Sequence, residues 1–317
     1  MTDKITKPGV YSISMEQYHS QCCIGPSVSS SGLRTIFTKS PAHFWVQSSL
    51  NPDAEEQKDT EAFVFGRAAH HLLLGEDDFS TMFIVRPDEA PDGRAWNGNN
   101  LTCKDWLAKQ AKAGRTVLKP DQIEQIRGMA RSLAAHPLIQ AGILNGEIEK
   151  SLMFKDKETG IWLKARPDAI PNASGDFADL KTTSEIGFKL DRSVNSYRYD
   201  MQAALTKWGC KEVLGIDMTD FSFVFVEKEP PHCVDVLVLN PEDIQAAEHD
   251  LRASLHTLAY CLKTGDWFGP SGTQRDARYV SLGEFARNSA LARREFLERE
   301  IKPAEIQPSE RDHLAAG

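Results

Sequence analysis

The spacing of apolar residues predicts two kinds of secondary structure in two successive parts of the chain. Up to about residue 148, apolar positions recur three or four residues apart, as they do in amphipathic helices. A run of serines precedes the first such stretch, and Pro41 should break or kink the helix within it. Gly75 follows another stretch at the place where a left-handed residue ends a helix. Helices are therefore predicted within 32–47, at 61–75, 103–113 and 120–134, and briefly after Pro137.

From about residue 149 the pattern changes to short β-type runs. The runs EKSLMFKD and GIWLKARPDAI, separated at Gly160, predict a β-hairpin, and GDFADLKTT predicts a third strand. A helix at 192–214, strands at 219–228 and 232–239, and a long helix at 241–263 should follow. This order predicts an α/β or α+β fold, a central mixed sheet flanked by helices. We expect one domain over 1–270, with a helical N-terminal part, and a charged C-terminal helix or tail over 271–317.

Composition narrows the class of protein. The 317 residues include 37 Lys plus Arg and 45 Asp plus Glu, a net charge of -8 that excludes a simple basic nucleic-acid coat protein. An apolar fraction of 41% is enough for a hydrophobic core. No apolar run approaches the roughly 18 residues of a membrane span, and no signal peptide precedes the first helix, so a cytoplasmic protein is expected. The six Cys include no CxxC pair and predict neither disulfides nor a zinc site.

Candidate chemistry lies in the third predicted strand. Asp179 and Lys181 are two residues apart, so their side chains should share one face while Leu180 points into the core. Asp168 lies eleven residues earlier and is expected at the end of the adjacent hairpin strand. Two carboxylates beside an ammonium form a hard-oxygen site for Mg²⁺ or Mn²⁺. Such a metal can activate water for phosphodiester hydrolysis while Lys181 stabilises the charge that develops.

Two predicted helices carry further polar candidates. His70 follows Gly66 by one helical turn, and we expect this glycine to allow close backbone packing and to free the imidazole to reach a metal. Gln202 lies in the helix after the third strand, in the segment YRYDMQAAL. Each residue alone is more often an ordinary member of an amphipathic helix than a functional group, and an isolated Asp-x-Lys on a strand is most often a solvated face.

Together these segments resemble a known family. Gly66-x-x-x-His70, an acid at Glu147 or Glu149, Arg166-Pro167-Asp168, Asp179-Leu-Lys-Thr-Thr and Tyr199-Asp-Met-Gln202 occur in the order seen in PD-(D/E)XK nucleases. The chain is more similar to the RecB-like branch, and within it to the exodeoxyribonuclease VIII (RecE) nuclease domain and related phage exonucleases, over residues 10–265.

The resemblance implies a metal-dependent exonuclease that acts on ends of double-stranded DNA, 5′ to 3′, in phage-type recombination. Metal ligands would be His70, Asp168, Asp179 and the carbonyl of Leu180, binding Mg²⁺ or Mn²⁺, with two ions expected. Catalytic residues would be Asp168, Asp179, Lys181, Gln202 and an acid at Glu149, with Glu147 left open as its alternative. The partners would be DNA ends, a single-strand annealing protein and further copies of the chain in a ring. No membrane association is expected.

Some features depart from the family or leave alternatives open. Thr206 stands where a tyrosine would follow Gln202 by four residues, which puts that contact in doubt. A structure-specific or single-strand endonuclease could use the same site, and a non-catalytic DNA-end or recombinase-partner module could keep the fold. Basic residues outnumber acids six to three over 181–211, so DNA contact should be confined to a cleft, depend on divalent metal and weaken with salt.

Overall fold

The computed structural model of the chain describes residues 4–54, 60–75, 79–172, 174–273, 276–277 and 279–300. The strands are β1 (Gly9–Tyr11), β2 (Ser27–Ser29), β3 (Phe83–Val85), β4 (Thr116–Leu118), β5 (Glu147–Ile148), β6 (Ser151–Lys155), β7 (Trp162–Ala165), β8 (Ala169–Ile170), β9 (Asp176–Thr183), β10 (Asp220–Glu227) and β11 (Val234–Val238). The α-helices are α1 (Met15–His19), α2 (Ser30–Thr38), α3 (Pro41–Gln47), α4 (Glu61–Leu74), α5 (Phe79–Met82), α6 (Leu101–Lys112), α7 (Pro120–Ala135), α8 (Pro137–Gln140), α9 (Phe188–Tyr197), α10 (Tyr199–Gly209), α11 (Pro241–Thr264) and α12 (Glu284–Glu300).

The chain divides into two units, Met1–Gly272 and Thr273–Gly317. The first unit contains the three sheets and the helices up to α11, and the second contains α12. Of the predicted charged tail, residues 301–317 lie outside the described residues. Among the helices that are described, none combines the length and the apolar character that a bilayer crossing requires.

A five-stranded mixed sheet of order β11-β10-β9-β8-β5 forms the centre of the first unit, as predicted. β9 and β10 run parallel along their whole length, from Asp176 opposite Asp220 to Thr183 opposite Glu227. Alternation along the strands gives the sheet two apolar faces. Phe223 and its neighbours pack on one face with α10 and α11, while Leu180 packs on the other with α4 and α7. The site residues of β9 are thereby fixed between two packed layers.

The predicted β-hairpin exists, but it belongs to another sheet. β6 and β7 pair antiparallel within a four-stranded sheet of order β1-β6-β7-β2. The expectation that Asp168 ends the hairpin strand beside β9 was therefore wrong. β7 ends at Ala165, and Asp168 directly precedes β8, whose Ala169 lies opposite Ala178 of β9. A two-residue strand makes this contact, and so short a run has no recognisable pattern in the sequence.

The helix boundaries follow from local capping. Pro41 breaks the first helical stretch as predicted, because α2 ends at Thr38 and α3 begins at Pro41. The hydroxyl of Thr60 accepts a hydrogen bond from the amide of Phe63 and caps α4. Gly75 ends α4 with φ of 74°, a left-handed conformation that glycine adopts without steric cost. These two ends fix the length of the helix that carries His70.

Candidate active site

Asp179 and Lys181 project from the same face of β9, as the strand alternation predicted. Asp179 is 1% exposed, and its Oδ2 forms an ion pair with Lys181 Nζ. The ammonium lies 5.4 Å from the ring centroid of Tyr199 and 5.8 Å from that of Phe223. Burial opposes the charge on Lys181, but the carboxylates of Asp179 and Asp168 outweigh it and raise the pKa of the lysine. Lys181 is therefore a fixed cation at the site.

Gln202 of α10 holds the other oxygen of Asp179. Its Nε2 donates a hydrogen bond of 2.5 Å to Asp179 Oδ1. Burial, together with the nearby charge of Asp168, raises the pKa of Asp179 to about 6. Thr206, which stands where the family pattern has tyrosine, is buried and donates 3.0 Å to the backbone carbonyl of Gln202. Thr206 therefore supports α10 and does not reach into the site.

Asp168 links β9 to α4. Its Oδ2 accepts a hydrogen bond of 2.5 Å from the amide of Leu180 and lies 2.8 Å from His70 Nε2. Burial alone would raise the pKa of Asp168, but the charge and hydrogen bond of His70 outweigh it and lower that pKa. The structure thus shows Leu180 acting through its amide, and a ligand role for its carbonyl stays a prediction.

His70 lies between two carboxylates. Its Nδ1 is 3.2 Å from Glu149 Oε1, on the opposite side of the ring from Asp168. Burial disfavours the imidazolium, but the two carboxylates outweigh this and raise the pKa of His70 well above its usual value. Gly66 is not explained by close packing, because a Cβ at that position would meet no other atom within 4 Å. That expectation was wrong.

Glu149 is the glutamate that the structure places in the site. Its backbone is left-handed, with φ of 54°, and its amide donates 3.0 Å to the carbonyl of Asp168. Glu147, the alternative, is exposed and pairs with Ile170 at the sheet edge. Arg166 holds Glu149 from behind, with Nε 2.5 Å from Glu149 Oε2. Arg166 belongs to the Arg-Pro-Asp motif, but no pattern in the sequence indicates its contact with Glu149.

The arrangement fits a divalent cation. One ligand atom each from His70, Glu149 and Asp168 lies within 4.8 Å of the others. Imidazole nitrogen and carboxylate oxygens together suit Mn²⁺, and the carboxylates suit Mg²⁺. Asp179 lies outside this group of three, because its Oδ2 forms the ion pair with Lys181 and its Oδ1 accepts the hydrogen bond of Gln202. The predicted side-chain ligands are thus divided. His70 and Asp168 lie in the group that can hold a metal, whereas Asp179 is paired with Lys181.

Comparison with solved structures bears on the fold. A crystal structure from Eubacterium rectale, described as a "putative exonuclease", is similar at a TM-score of 0.54 with 12% identity, covering 88% of this chain and 99% of that one. At such low identity the likeness shows the fold alone. Rai1 from Scheffersomyces stipitis aligns over 62% of this chain and 60% of its own, at 13% identity and a TM-score of 0.25, which does not indicate a shared fold.

None of the curated proteins compared with the chain matches it. The family model for the PDDEXK-like domain of unknown function, DUF3799, matches residues 29–276, a span that contains every candidate site residue. This match confirms the superfamily that the sequence motifs indicated and the mixed sheet flanked by helices. The chain belongs to the DUF3799 family of PDDEXK-like domains, and its fold is that of a PD-(D/E)XK nuclease.

Proposed function

We propose that the protein is a metal-dependent deoxyribonuclease that hydrolyses phosphodiester bonds from the ends of double-stranded DNA. One observation carries the proposal: the Asp179–Lys181 pair on β9 lies beside a His-Glu-Asp group that can hold a cation, because Asp168 of that group accepts the amide hydrogen bond of Leu180. Phosphoryl transfer needs cationic charge beside the phosphate and a positioned ammonium, and the two groups offer residues for both.

The residues divide the work as follows. His70, Glu149 and Asp168 would hold the cation, which supplies Lewis acidity toward the scissile phosphate when bound. Lys181, held by Asp179, would donate to a non-bridging phosphate oxygen and stabilise the charge that develops there. Gln202 keeps the Asp179 carboxylate oriented, so that the ammonium stays in place without reorganisation.

The finer parts of the proposal come from the resemblance and from charge. The resemblance to the RecB-like and exodeoxyribonuclease VIII branch implies a 5′ to 3′ direction, a role in phage-type recombination, a single-strand annealing protein as partner and a ring of identical subunits. A cytoplasmic location is proposed from the sequence pattern, independently of that resemblance. The net charge of -8 adds that DNA affinity should depend on the metal and fall with salt. Sedimentation at several protein concentrations, with and without DNA, tests the ring.

A single assay tests the activity. Purified protein is incubated with linear and with covalently closed duplex, labelled at the 5′ or the 3′ end, with Mg²⁺, with Mn²⁺ or with EDTA. We expect metal-dependent shortening of linear DNA alone, with early loss of the 5′ label. Cleavage of closed duplex would instead show an endonuclease on the same site. Absence of cleavage with either metal, alongside retained DNA binding, would show a non-catalytic binding module.

A further inference from the structure

Two stacked tyrosines lead outward from the candidate lysine. Lys181 Nζ lies 5.4 Å from the ring centroid of Tyr199, and the rings of Tyr199 and Tyr197 stack at 5.6 Å with an interplanar angle of 22°. Phe223 supports Tyr199 from the sheet at 5.0 Å. Tyr197 is 58% exposed although one face is covered by Tyr199, so its other face is open to solvent. The stack therefore connects the lysine to the surface.

The backbone that presents these rings is held rigidly. Arg198 separates the two tyrosines in a left-handed conformation, with φ of 49° and ψ of 54°, which costs about 1 kcal/mol or more for a residue other than glycine and persists only where neighbours enforce it. Its guanidinium donates 2.7 Å to Asp200 and 2.5 Å to Asp250. From α2, Arg34 Nη1 donates 2.6 Å to the carbonyl of Tyr197. Three elements thus fix the junction between α9 and α10.

Charge beside the stack favours a nucleic acid over an apolar ligand. Arg34 is only partly buried, and the acid whose charge acts on it, Asp200, is already engaged by Arg198. A guanidinium near an exposed aromatic residue suits a base joined to a phosphate. A rigid platform also loses little conformational entropy when a base stacks on it.

We propose that the open face of Tyr197 is a stacking platform for an unpaired nucleobase of the substrate strand, next to the phosphate that Lys181 contacts. The proposal rests on the nuclease function and names how the strand is held. Because stacking on an aromatic ring tolerates any base, it predicts binding of frayed or single-stranded ends without sequence preference. Arg34 would contact the phosphate that follows this base.

The test separates binding from cleavage. All proteins in the binding test carry Lys181→Met, which blocks cleavage, and Mg²⁺ is present. The DNA is a duplex with a short single-stranded end. A set of such duplexes carries the fluorescent base 2-aminopurine at successive positions near that end. We expect the fluorescence to be quenched at one position on binding. Tyr197→Ala should remove that quenching and weaken binding by about 5- to 150-fold, which corresponds to the stacking of one base. Tyr197→Phe should retain both, because the ring remains.

Matched controls give each outcome a meaning. Tyr260→Ala removes another exposed tyrosine, on α11, and should change neither quenching nor affinity. DNA lacking the base at the quenched position should bind wild-type and Tyr197→Ala protein equally. In the active protein, Tyr197→Ala should raise KM and leave kcat nearly unchanged. Equal behaviour of Tyr197→Ala and Tyr197→Phe, or a loss confined to kcat, would overturn the platform.

The two proposals fail in different ways. A protein that binds and quenches at Tyr197 but never cleaves DNA would refute the nuclease and keep the platform. A protein that cleaves DNA while Tyr197→Ala behaves as Tyr197→Phe would refute the platform and keep the nuclease. A protein that binds no DNA at all would refute both.

Discussion

Lys164 on β7, which is buried, and Lys181 on β9, which is partly buried, have opposite surroundings. Lys164 is 3% exposed, and its ammonium donates to two backbone carbonyls, 2.6 Å to Tyr18 and 2.8 Å to Ser20. Burial lowers the pKa of Lys164, whereas the carboxylates around Lys181 outweigh burial and raise the pKa there. Both ammonium groups also lie near aromatic rings, Lys164 at 5.5 Å from that of Tyr18.

The difference shows which of the two lysines can contact a substrate phosphate. Lys164 spends two of its three donors on fixed carbonyls and connects the second sheet to α1, which is a structural role. Lys181 faces one carboxylate, and its side chain keeps 23% exposure, so donors remain for a phosphate. The two lysines thus differ both in exposure and in the groups that hold the ammonium.

The largest expected effect belongs to Lys181→Met, which keeps the stem and removes the charge. We expect kcat for DNA cleavage to fall by about 10²-fold to 10³-fold or more, because a fixed group that stabilises developing charge is lost. The free energy of unfolding should change less than in Lys164→Met. Asp179 would keep the hydrogen bond from Gln202, and its raised pKa lets it take up a proton when the lysine charge is lost. Single-turnover cleavage of end-labelled duplex and urea denaturation measure the two. Activity within tenfold of wild type would remove Lys181 from the mechanism.

Lys164→Met should show the opposite profile. The buried carbonyl of Tyr18 would lose its donor, and an unsatisfied buried acceptor costs about 1–3 kcal/mol of unfolding free energy. We expect a loss of about 2 kcal/mol in urea denaturation. The value of kcat per folded molecule should stay at that of the wild type. If Lys164→Met instead lost activity while keeping its stability, the division between a structural and a catalytic lysine would be wrong.

From the sequence, Lys181 could be distinguished from Lys164 only in part. Strand alternation placed Asp179 and Lys181 on one face, because two-residue periodicity is a local property. The same rule put Lys164 on a predicted strand but could not reveal its carbonyl partners, which lie 144 and 146 residues away. Contacts of that range depend on how the two sheets and α1 pack, and no local pattern encodes them.

The group of His70, Glu149 and Asp168 likewise depends on contacts between residues far apart in the sequence. His70 and Asp168 are 98 residues apart, and only the family resemblance brought them together before the structure did. The sequence left Glu147 and Glu149 as alternatives, because a glutamate with φ of 54° has no glycine-like signal to mark the turn. The Arg166 contact to Glu149 depends on that turn. Most long helices and strands were thus predictable, but the helix predicted at 192–214 is divided at Arg198 into α9 and α10, and the connections between elements were not predictable.

Gln202→Ala tests whether the partner of Lys181 must itself be held. The carbonyls around Lys164 belong to the backbone, whereas Asp179 is a side chain that Gln202 orients through a 2.5 Å hydrogen bond. A hydrogen bond to a charged group contributes about 1.5–3 kcal/mol, so we expect kcat to fall about tenfold or somewhat more. Thr206→Val is the matched control, because it removes a hydroxyl that touches only the backbone of the same helix. Equal rates for both variants would show that Asp179 needs no support.

Tyr18→Phe should have the smallest effect, and it tests whether the contact between Tyr18 and Lys164 is structural. The Tyr18 hydroxyl donates 3.0 Å to the carbonyl of Lys164, and burial raises its pKa, so that it remains a donor at neutral pH. Removing it keeps the ring beside the ammonium and should lower the free energy of unfolding by about 1 kcal/mol, with kcat unchanged. Tyr11→Phe removes the same chemistry from an exposed bond to the carbonyl of Lys7, where water can replace the lost donor, and should cost less. If the two variants lost equal stability, burial would not be what makes the Tyr18–Lys164 contact structural, and the contrast with Lys181 would then depend on the carboxylate alone.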